Sequence, residues 1–200
     1  MDLTASPVSI IILIVTILFS LYGFKSAEIM NKYMLHPWSF VHERHWYQII
    51  TSGFLHGDWS HLIFNMLTFY FFALQLESIA GTAKFAIIYF GSMALANVSS
   101  IIKNKNNEDY RSLGASGAIA GVLFSFILFE PGAKISMMFF PIGIPAPIFG
   151  IIYLAYCVWA SKKANDYINH EAHFWGALAG VILTIIQSPQ IVSYFIEEVF

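Results

Sequence analysis

Charged residues are scarce in this 200-residue chain: Asp, Glu, Lys and Arg together make up 11%, whereas a typical soluble domain contains roughly 25%. Hydrophobic residues account for 58%, and the mean hydropathy is +0.66. So few charges cannot cover a surface that faces water. The composition therefore predicts an integral membrane protein whose outer surface mostly contacts lipid.

Basic clusters and cysteines are also missing or rare. The formal net charge is −2, and there is no run of Lys and Arg of the kind that follows a phosphate backbone, which argues against nucleic acid as a partner. The single cysteine, Cys157, lies in an apolar run and can form no disulfide within the chain. Residues 170–173 read His-Glu-Ala-His and lack the HExxH spacing of zinc ligands on one helical face. We therefore predict neither a metal nor a cofactor.

Six apolar runs are long enough, or nearly so, to cross a hydrocarbon core of about 30 Å as helices. They lie at about 8–24, 59–76, 83–102, 113–130, 146–160 and 173–188. Polar segments, or segments rich in Pro and Gly, separate them, and there is no internal repeat. The sequence thus predicts an all-α protein with six transmembrane helices, forming a single domain over residues 1–200.

Two segments depart from a simple up-and-down bundle. The connection 25–58 contains two tryptophans and two tyrosines, and because such rings favour the membrane–water boundary, we expect this first loop to lie in the interface. The apolar part of the fourth run, 113–129, would form a helix only about 25 Å long. We therefore expect the fourth helix to be short and to begin below the membrane surface.

Ser116 opens the fourth run, in Gly114-Ala115-Ser116-Gly117. At a helix N-terminus, unpaired backbone N–H groups and the helix dipole favour the negative charge that develops when a serine attacks a carbonyl. Small residues in membrane helices are also common packing surfaces, and we predict Gly114 and Gly117 as helix-packing glycines near the site. Taken alone, the segment favours packing over catalysis.

His173 opens the sixth run as a candidate general base. The sixth and fourth runs each carry glycines four residues apart, Gly176 and Gly180 in one and Gly117 and Gly121 in the other. Helices with small residues at this spacing pack closely, which would bring the His173 imidazole towards the hydroxyl of Ser116. A histidine bonded to backbone at a helix start is an equally good interpretation of His173 alone.

His61 and Asn65 are four residues apart in the second run and therefore share one helical face. Both side chains carry N–H donors that an oxyanion needs, although a polar pair can also tie helices together. His56 lies in the preceding loop, and its position is not predicted. Because runs two, four and six start on the same side of the membrane, these groups and the Ser–His pair share one leaflet.

A carboxylate to orient His173 is not apparent. Asp166 and Glu171 lie in the loop before the sixth run, and Glu171 is only two residues from His173, so a helix would point it elsewhere. The pattern therefore predicts a Ser–His dyad in which the imidazole acts first as general base and then as general acid.

Three motifs, in this order, resemble the rhomboid family of intramembrane proteases from about Trp46 to Gly180. They are Phe54-Leu55-His56-Gly57 continuing to His61 and Asn65, then Gly114-Ala115-Ser116-Gly117 with Gly121, then Ala172-His173 with Gly176 and Gly180, while Glu77 followed by Gly81 also fits. The resemblance implies a six-helix serine protease, free of metal, that cleaves transmembrane proteins in or beside their membrane segment. By matched position, it implies Ser116 as nucleophile, His173 as base, and His61, Asn65 and the Ser116 N–H as oxyanion hole.

Two positions depart from the family pattern. Tyr47-Gln48 stands where the family often has Trp-Arg, which puts the polar anchoring of the first loop in doubt. Ala120 stands one turn after Ser116, where many relatives place an aromatic ring beneath the histidine. We therefore expect another ring, Phe174 or Trp175, to orient His173.

Membrane orientation is predicted differently by two arguments. The resemblance implies a multi-pass protein of the bacterial plasma (inner) membrane, with a cytoplasmic N-terminus, a site that opens outward, and transmembrane proteins as substrates. The positive-inside rule predicts the reverse orientation, with the N-terminus outside, because most basic residues lie in the loops after runs one, three and five. Those loops contain Lys25, Lys32, Arg44, Lys103, Lys105, Arg111, Lys162 and Lys163, whereas the loops on the opposite side contain Lys84 and Lys134. We follow the family orientation.

Other functions stay open at this point. A rhomboid-like protein could bind membrane clients without cutting them, although such relatives lose the serine or the histidine, and both are present here. A membrane metallohydrolase would draw on His56, His61, His170, Glu171 and His173. A transporter would need more charges within its spans than this chain offers.

Overall fold

The computed structural model describes residues 5–137, 140–163 and 168–200, most of which are helical. The helices are α1 (Pro7–Lys25), α2 (Ala27–Tyr33), α3 (Pro37–His42), α4 (Gln48–Thr51), α5 (Trp59–Ala80), α6 (Thr82–Asn104), α7 (Ser116–Phe129), α8 (Ala146–Lys163), α9 (His170–Gln187) and α10 (Ile191–Val199). Strands β1 (Lys134–Met137) and β2 (Phe140–Pro145) form an antiparallel hairpin.

Each of the six predicted apolar runs coincides with a helix: α1, α5, α6, α7, α8 and α9. By length and hydropathy, three of the described helices could cross a membrane, namely α1, α5 and α6. The pair α9 and α10, bent by 113°, would be a fourth if counted as one span. The all-α prediction is therefore confirmed only in its coarser form, a mostly helical protein with apolar helices able to cross a membrane, whereas the count of six spans stays a prediction.

The chain is not purely α-helical and contains more helices than predicted. Ile135 of β1 pairs with Ile144 of β2, in the segment whose prolines and glycines predicted only a break between helices. The first loop folds into α2, α3, α4 and a 3-10 turn at Ser52–Phe54, and α10 follows α9. All of these elements are short, so the apolar-run criterion for a span does not detect them.

Helix α7 is the centre of the bundle. Every residue from Gly117 to Ile127 is buried, with α5, α6 and α9 packed around it. Its 14 residues span only about 21 Å, in agreement with the predicted short fourth helix. A helix this apolar on all sides is expected in the interior rather than at a surface.

The first loop is anchored by Gln48, contrary to the doubt raised by the Tyr47-Gln48 departure. The Gln48 side chain is buried, its Oε1 accepts from the His36 backbone N–H at 3.1 Å, and its Nε2 donates to the Lys32 carbonyl at 3.2 Å. An amide carries both a donor and an acceptor, so one neutral side chain joins two turns of the loop.

The start of α1 is held by a buried carboxylate of α5. Glu77, 1% exposed, accepts from the backbone N–H groups of Val8 and Ser9 at 3.1 and 2.7 Å and from the Thr82 hydroxyl at 2.9 Å. An anionic group at a helix N-terminus satisfies unpaired N–H donors and interacts favourably with the helix dipole. Glu77 thereby joins α1, α5 and the start of α6.

Candidate active site

The loop that leads to Ser116 is fixed by residues far away in the chain. Leu35 and Ser112 exchange two backbone hydrogen bonds of 2.8 and 2.9 Å, and the Gly114 N–H donates to the Ser52 carbonyl at 3.0 Å. Gly114 has φ 116°, and a Cβ there would lie 2.8 Å from the His61 ring. Only glycine combines this backbone conformation with this close approach. Gly114 thus belongs to the His61 contact rather than to the α7–α9 interface.

Helices α7 and α9 touch through their glycines. A Cβ added at Gly176 would overlap the backbone of Gly117, and one added at Gly180 would overlap the backbone of Gly121. A Cβ at Gly121 would in turn lie 2.9 Å from the Gly176 carbonyl oxygen. The two backbones are therefore in direct contact, as in small-xxx-small helix pairs, and the starts of α7 and α9 lie side by side.

One cavity of about 1030 Å³ is lined by all four polar residues singled out from the sequence, Ser116, His173, His61 and Asn65. They come from three helices: α7, α9 and α5. Ser116, the first residue of α7, is half-buried, as are His61 and His173, and Asn65 is 9% exposed. Further polar residues line the same cavity, among them Asn97, Ser100, Asn104, Tyr110 and Asn169.

The His61–Asn65 pair is bonded within its own helix. Asp58 caps α5 by accepting from the His61 N–H at 2.8 Å, and hydrogen bonds from the Ser60 side chain and the His61 backbone lower the pKa of the Asp58 carboxyl. Asn65 Nδ2 donates to the His61 carbonyl at 2.9 Å, which uses one of its two amide hydrogens. The Gly57 N–H makes a long, 3.5 Å contact to His61 Nδ1, and in the tautomer that accepts this contact the proton is on Nε2.

His56 contacts the ring of His61 through its own ring. It is fully buried, its Nδ1 lies 3.0 Å from Ser20 Oγ, and its ring meets that of His61 edge-on at 4.8 Å. Burial lowers the pKa of His56 to about 3, so this side chain stays neutral near pH 7. Sequence patterns did not locate His56, because a spacing of five from His61 across a helix start carries no simple signal.

Helix α9 is capped by Asn169, which sequence reasoning missed. Asn169 Oδ1 accepts from the Ala172 N–H at 3.0 Å, and its Nδ2 donates to Ser100 Oγ at 2.8 Å and to the Tyr110 hydroxyl at 3.1 Å. The cap therefore ties the helix that carries His173 to α6 and to the loop before α7. An Asn immediately before an apolar helical run is a recognisable N-cap signal.

Among the described ring contacts, His173 meets His170 rather than Phe174 or Trp175, the two rings expected from the sequence. The His170 and His173 ring centroids are 6.0 Å apart at 79°, whereas Phe174 and Trp175 make an edge contact with each other at 5.5 Å. The expectation was wrong because residues one and two positions along a helix point away from each other, whereas residues three apart share a face.

The nearby carboxylate is directed elsewhere. Glu171 pairs with Lys103 at the end of α6, and Asp166 lies outside the described residues. Within the described ranges, no three His, Cys, Asp or Glu side chains are grouped closely enough to hold a metal ion.

Residues 43–190 match the Rhomboid domain family. The chain belongs to the rhomboid family. This rhomboid is 35% identical over 141 residues to the protein named "Putative rhomboid protease YdcA" of Bacillus subtilis, an alignment that covers 70% of this chain and 67% of YdcA. It is 30% identical over 164 residues to the mitochondrial Rhomboid protein 1 of Saccharomyces cerevisiae, covering 79% of this chain and 46% of the yeast protein.

A second Bacillus subtilis relative, Rhomboid protease GluP, is 27% identical over 142 residues, covering 71% of this chain and 26% of GluP. This rhomboid thus spans about two thirds of YdcA and under half of the other two proteins. The family and the apolar helices identify an integral membrane protein, with relatives in both bacteria and mitochondria.

Proposed function

We propose that this rhomboid is an intramembrane serine endopeptidase that works through a Ser116–His173 dyad. The observation that carries the proposal is that Ser116, His173, His61 and Asn65 line the same cavity. A hydrolase needs a nucleophile, a base and donors where charge develops, and one cavity offers a residue suited to each role. The relatives named as rhomboid proteases, YdcA and GluP, support the same reaction class.

Ser116 is the nucleophile of this proposal and His173 its base. The imidazole takes the hydroxyl proton as Ser116 Oγ attacks the substrate carbonyl, then returns it to the leaving amine as the acyl-enzyme forms. A water molecule, activated by the same imidazole, hydrolyses the acyl-enzyme. The polar lining of the cavity supports entry of that water into an otherwise apolar bundle.

His61, Asn65 and the Ser116 backbone N–H stabilise the oxyanion. The remaining amide hydrogen of Asn65 and the Nε2 proton of His61 are donors on the cavity side of α5. The Ser116 N–H is among the first four of α7, which have no partner inside the helix. Donors already fixed in position contribute most to stabilising charge in the transition state.

Six helices, α1 and α5 to α9, cross the membrane in this proposal, with the first loop in the interface. The protein lies in the bacterial plasma membrane with its N-terminus in the cytoplasm, and the cavity opens on the outer side. Its substrates are transmembrane proteins. Ser116 can reach a peptide carbonyl only where the substrate helix is unwound, and each unsatisfied backbone group in hydrocarbon costs several kcal/mol. Cleavage therefore favours segments containing Gly, Pro or Asn near a small residue.

Cleavage of a transmembrane model substrate by the purified protein in detergent tests this function. Ser116→Ala and His173→Ala should each abolish cleavage, the double variant should be no worse than either single one, and a chelator should have no effect. A matched substrate whose helix-breaking residues are replaced by Leu, with the cleavage-site residues unchanged, should be cut much more slowly. Substantial activity in Ser116→Ala would refute the serine mechanism, and binding without cleavage by the wild type would favour a non-catalytic client-binding protein.

A further inference from the structure

His170 lies on the first turn of α9 and is 4% exposed, an unusual degree of burial for a polar side chain beside a cavity. Its ring meets the His173 ring nearly edge-on, with centroids 6.0 Å apart and planes at 79°. Contacts of this geometry are the preferred arrangement of aromatic pairs. His170 is therefore the ring neighbour of the proposed base within the same helix.

Tyr156 of α8 extends this contact to a second helix. Its ring lies 5.4 Å from that of His170 at 90°, so Tyr156, His170 and His173 form a row of three rings in which each neighbouring pair is edge-to-face. Tyr156 is 49% exposed, whereas His170 between the two others is buried. The row links the position of α8 to the orientation of the His173 imidazole.

An imidazole needs such a support to act as a base. Rotation about its outer side-chain torsion is broad and roughly two-fold, whereas proton transfer requires a ring nitrogen within hydrogen-bond reach of the hydroxyl. On α7 the residue one turn after Ser116 is Ala120, whose methyl group packs in an apolar cluster with Ala177 and presents no ring. The support for His173 among the described ring contacts comes from α9 and α8.

We propose that His170 is a positioning residue for His173, held in place by Tyr156, so that α8 contributes to the alignment of the dyad. The inference rests on the proposed protease function. His170 takes no part in proton transfer. A flat ring at position 170 is what matters, because its removal takes away the edge-to-face contact with the His173 imidazole.

The test measures kcat and KM on the transmembrane model substrate, with wild type and Ser116→Ala in every series. His170→Ala should lower kcat about ten- to a hundred-fold, because misplacement of a catalytic group by ~1 Å costs that much, with KM changed less than about threefold. His170→Phe keeps a flat ring and should stay within about threefold of the wild type. His170→Asn keeps polarity without the ring and should resemble His170→Ala.

Variants of Tyr156 form a second set of measurements, which tests whether α8 contributes to the position of His170. Tyr156→Ala should lower kcat by a smaller factor, roughly three- to tenfold, because the ring it removes contacts His173 only through His170. Tyr156→Phe should match the wild type. The rate at which a small fluorophosphonate modifies Ser116 should follow the same order in all variants. That reagent reports on the dyad without requiring a transmembrane helix to enter past α8.

The possible results distinguish failure of the positioning role of His170 from failure of the proposed protease function. A wild type that neither cleaves the substrate nor reacts at Ser116 would overturn both. An active wild type with an equally active His170→Ala variant would overturn only the positioning role. A His170→Phe variant as impaired as His170→Ala, with His170→Asn active, would assign His170 a polar role and overturn the ring contact. If His170→Ala fails to fold, the Tyr156→Ala and His170→Phe results decide.

Discussion

The backbone carbonyl of Gly117 occupies the space in which a side chain at position 176 would begin. The same relationship repeats one turn further along, between Gly121 and Gly180. The backbones of helices α7 and α9 are thus in direct contact, and we expect the distance between the proposed nucleophile and base to depend on this contact. No larger residue can occupy positions 176 and 180 unless the helices separate.

Gly180→Ala should therefore separate α7 from α9 and lower kcat by about a hundredfold or more, since catalysis is that sensitive to ~1 Å displacements. Gly132→Ala is the matched control, because a Cβ at Gly132 meets nothing within 4 Å. Cleavage assays and melting curves on the two variants check the prediction. Full activity in Gly180→Ala would mean that the close helix contact does not determine the geometry of the site.

Asn65→Ala should slow turnover by about 10²–10³, the usual cost of removing one oxyanion donor, with little change in KM. Gln75→Ala is the control: Gln75 lies on the same helix and donates to the carbonyl four residues earlier at 2.7 Å, as Asn65 does at 2.9 Å. It should leave activity unchanged. If both variants melt earlier and neither loses kcat, the Asn65 amide serves helix structure rather than the reaction.

Glu77→Ala should lower the melting temperature, because it leaves two backbone N–H groups at the start of α1 and the Thr82 hydroxyl without their acceptor. An unsatisfied buried donor costs about 1–3 kcal/mol, and of these three donors the Ser9 N–H belongs to a fully buried residue. Glu77→Gln, which keeps one oxygen acceptor, should lie between Glu77→Ala and the wild type. Glu198→Gln, at an exposed position of α10, is the control and should melt like the wild type. Equal melting of Glu77→Ala and the wild type would contradict the capping role.

His56 should make stability depend on pH. Burial lowers its pKa to about 3 in the folded protein, against 6.5 for the free side chain. Between these values the unfolded chain binds a proton that the folded protein does not, so the free energy of unfolding falls as pH drops below 6.5, by up to about 1.4 kcal/mol per pH unit. Melting temperatures between pH 7 and pH 4 should show this slope.

His56→Gln should flatten that pH dependence, whatever it does to stability at pH 7. His42→Gln, at an exposed histidine, should keep the wild-type slope. A slope that is the same in His56→Gln as in the wild type would show that other groups cause the acid sensitivity.

The positions of the main helices and the polar residues that line the cavity could be predicted from the sequence. Runs of apolar residues depend only on local sequence, so each predicted run coincides with a helix. Ser116 and His173 could be singled out because polar residues within apolar runs are expensive and therefore conspicuous. That both residues line one cavity was predictable for two reasons. The fourth and sixth runs start on the same side of the membrane, and their glycine pairs indicate that the two helices pack together.

Contacts between distant segments were the unpredictable part. Gln48 anchors the first loop through the backbone of Lys32 and His36. Because nearly every residue carries the same backbone groups, residue types do not reveal which of them a side chain binds. His170 was considered only as a metal ligand, although its spacing of three from His173 places both on one helical face. The hairpin β1–β2 was missed because prolines and glycines indicate where a helix ends but do not specify the structure of the next segment.

The short, enclosed helix α7 has a consequence for the bilayer around the protein. A helix of about 21 Å would be poorly matched to a hydrocarbon core of about 30 Å if lipid chains touched it. Because α5, α6 and α9 surround α7, we expect the acyl chains to contact longer helices instead, and those helices to determine the hydrophobic thickness that the protein presents. Thinner or thicker membranes are thus expected to change the tilt of the outer helices first, while the depth of Ser116 is set by its packing inside the bundle.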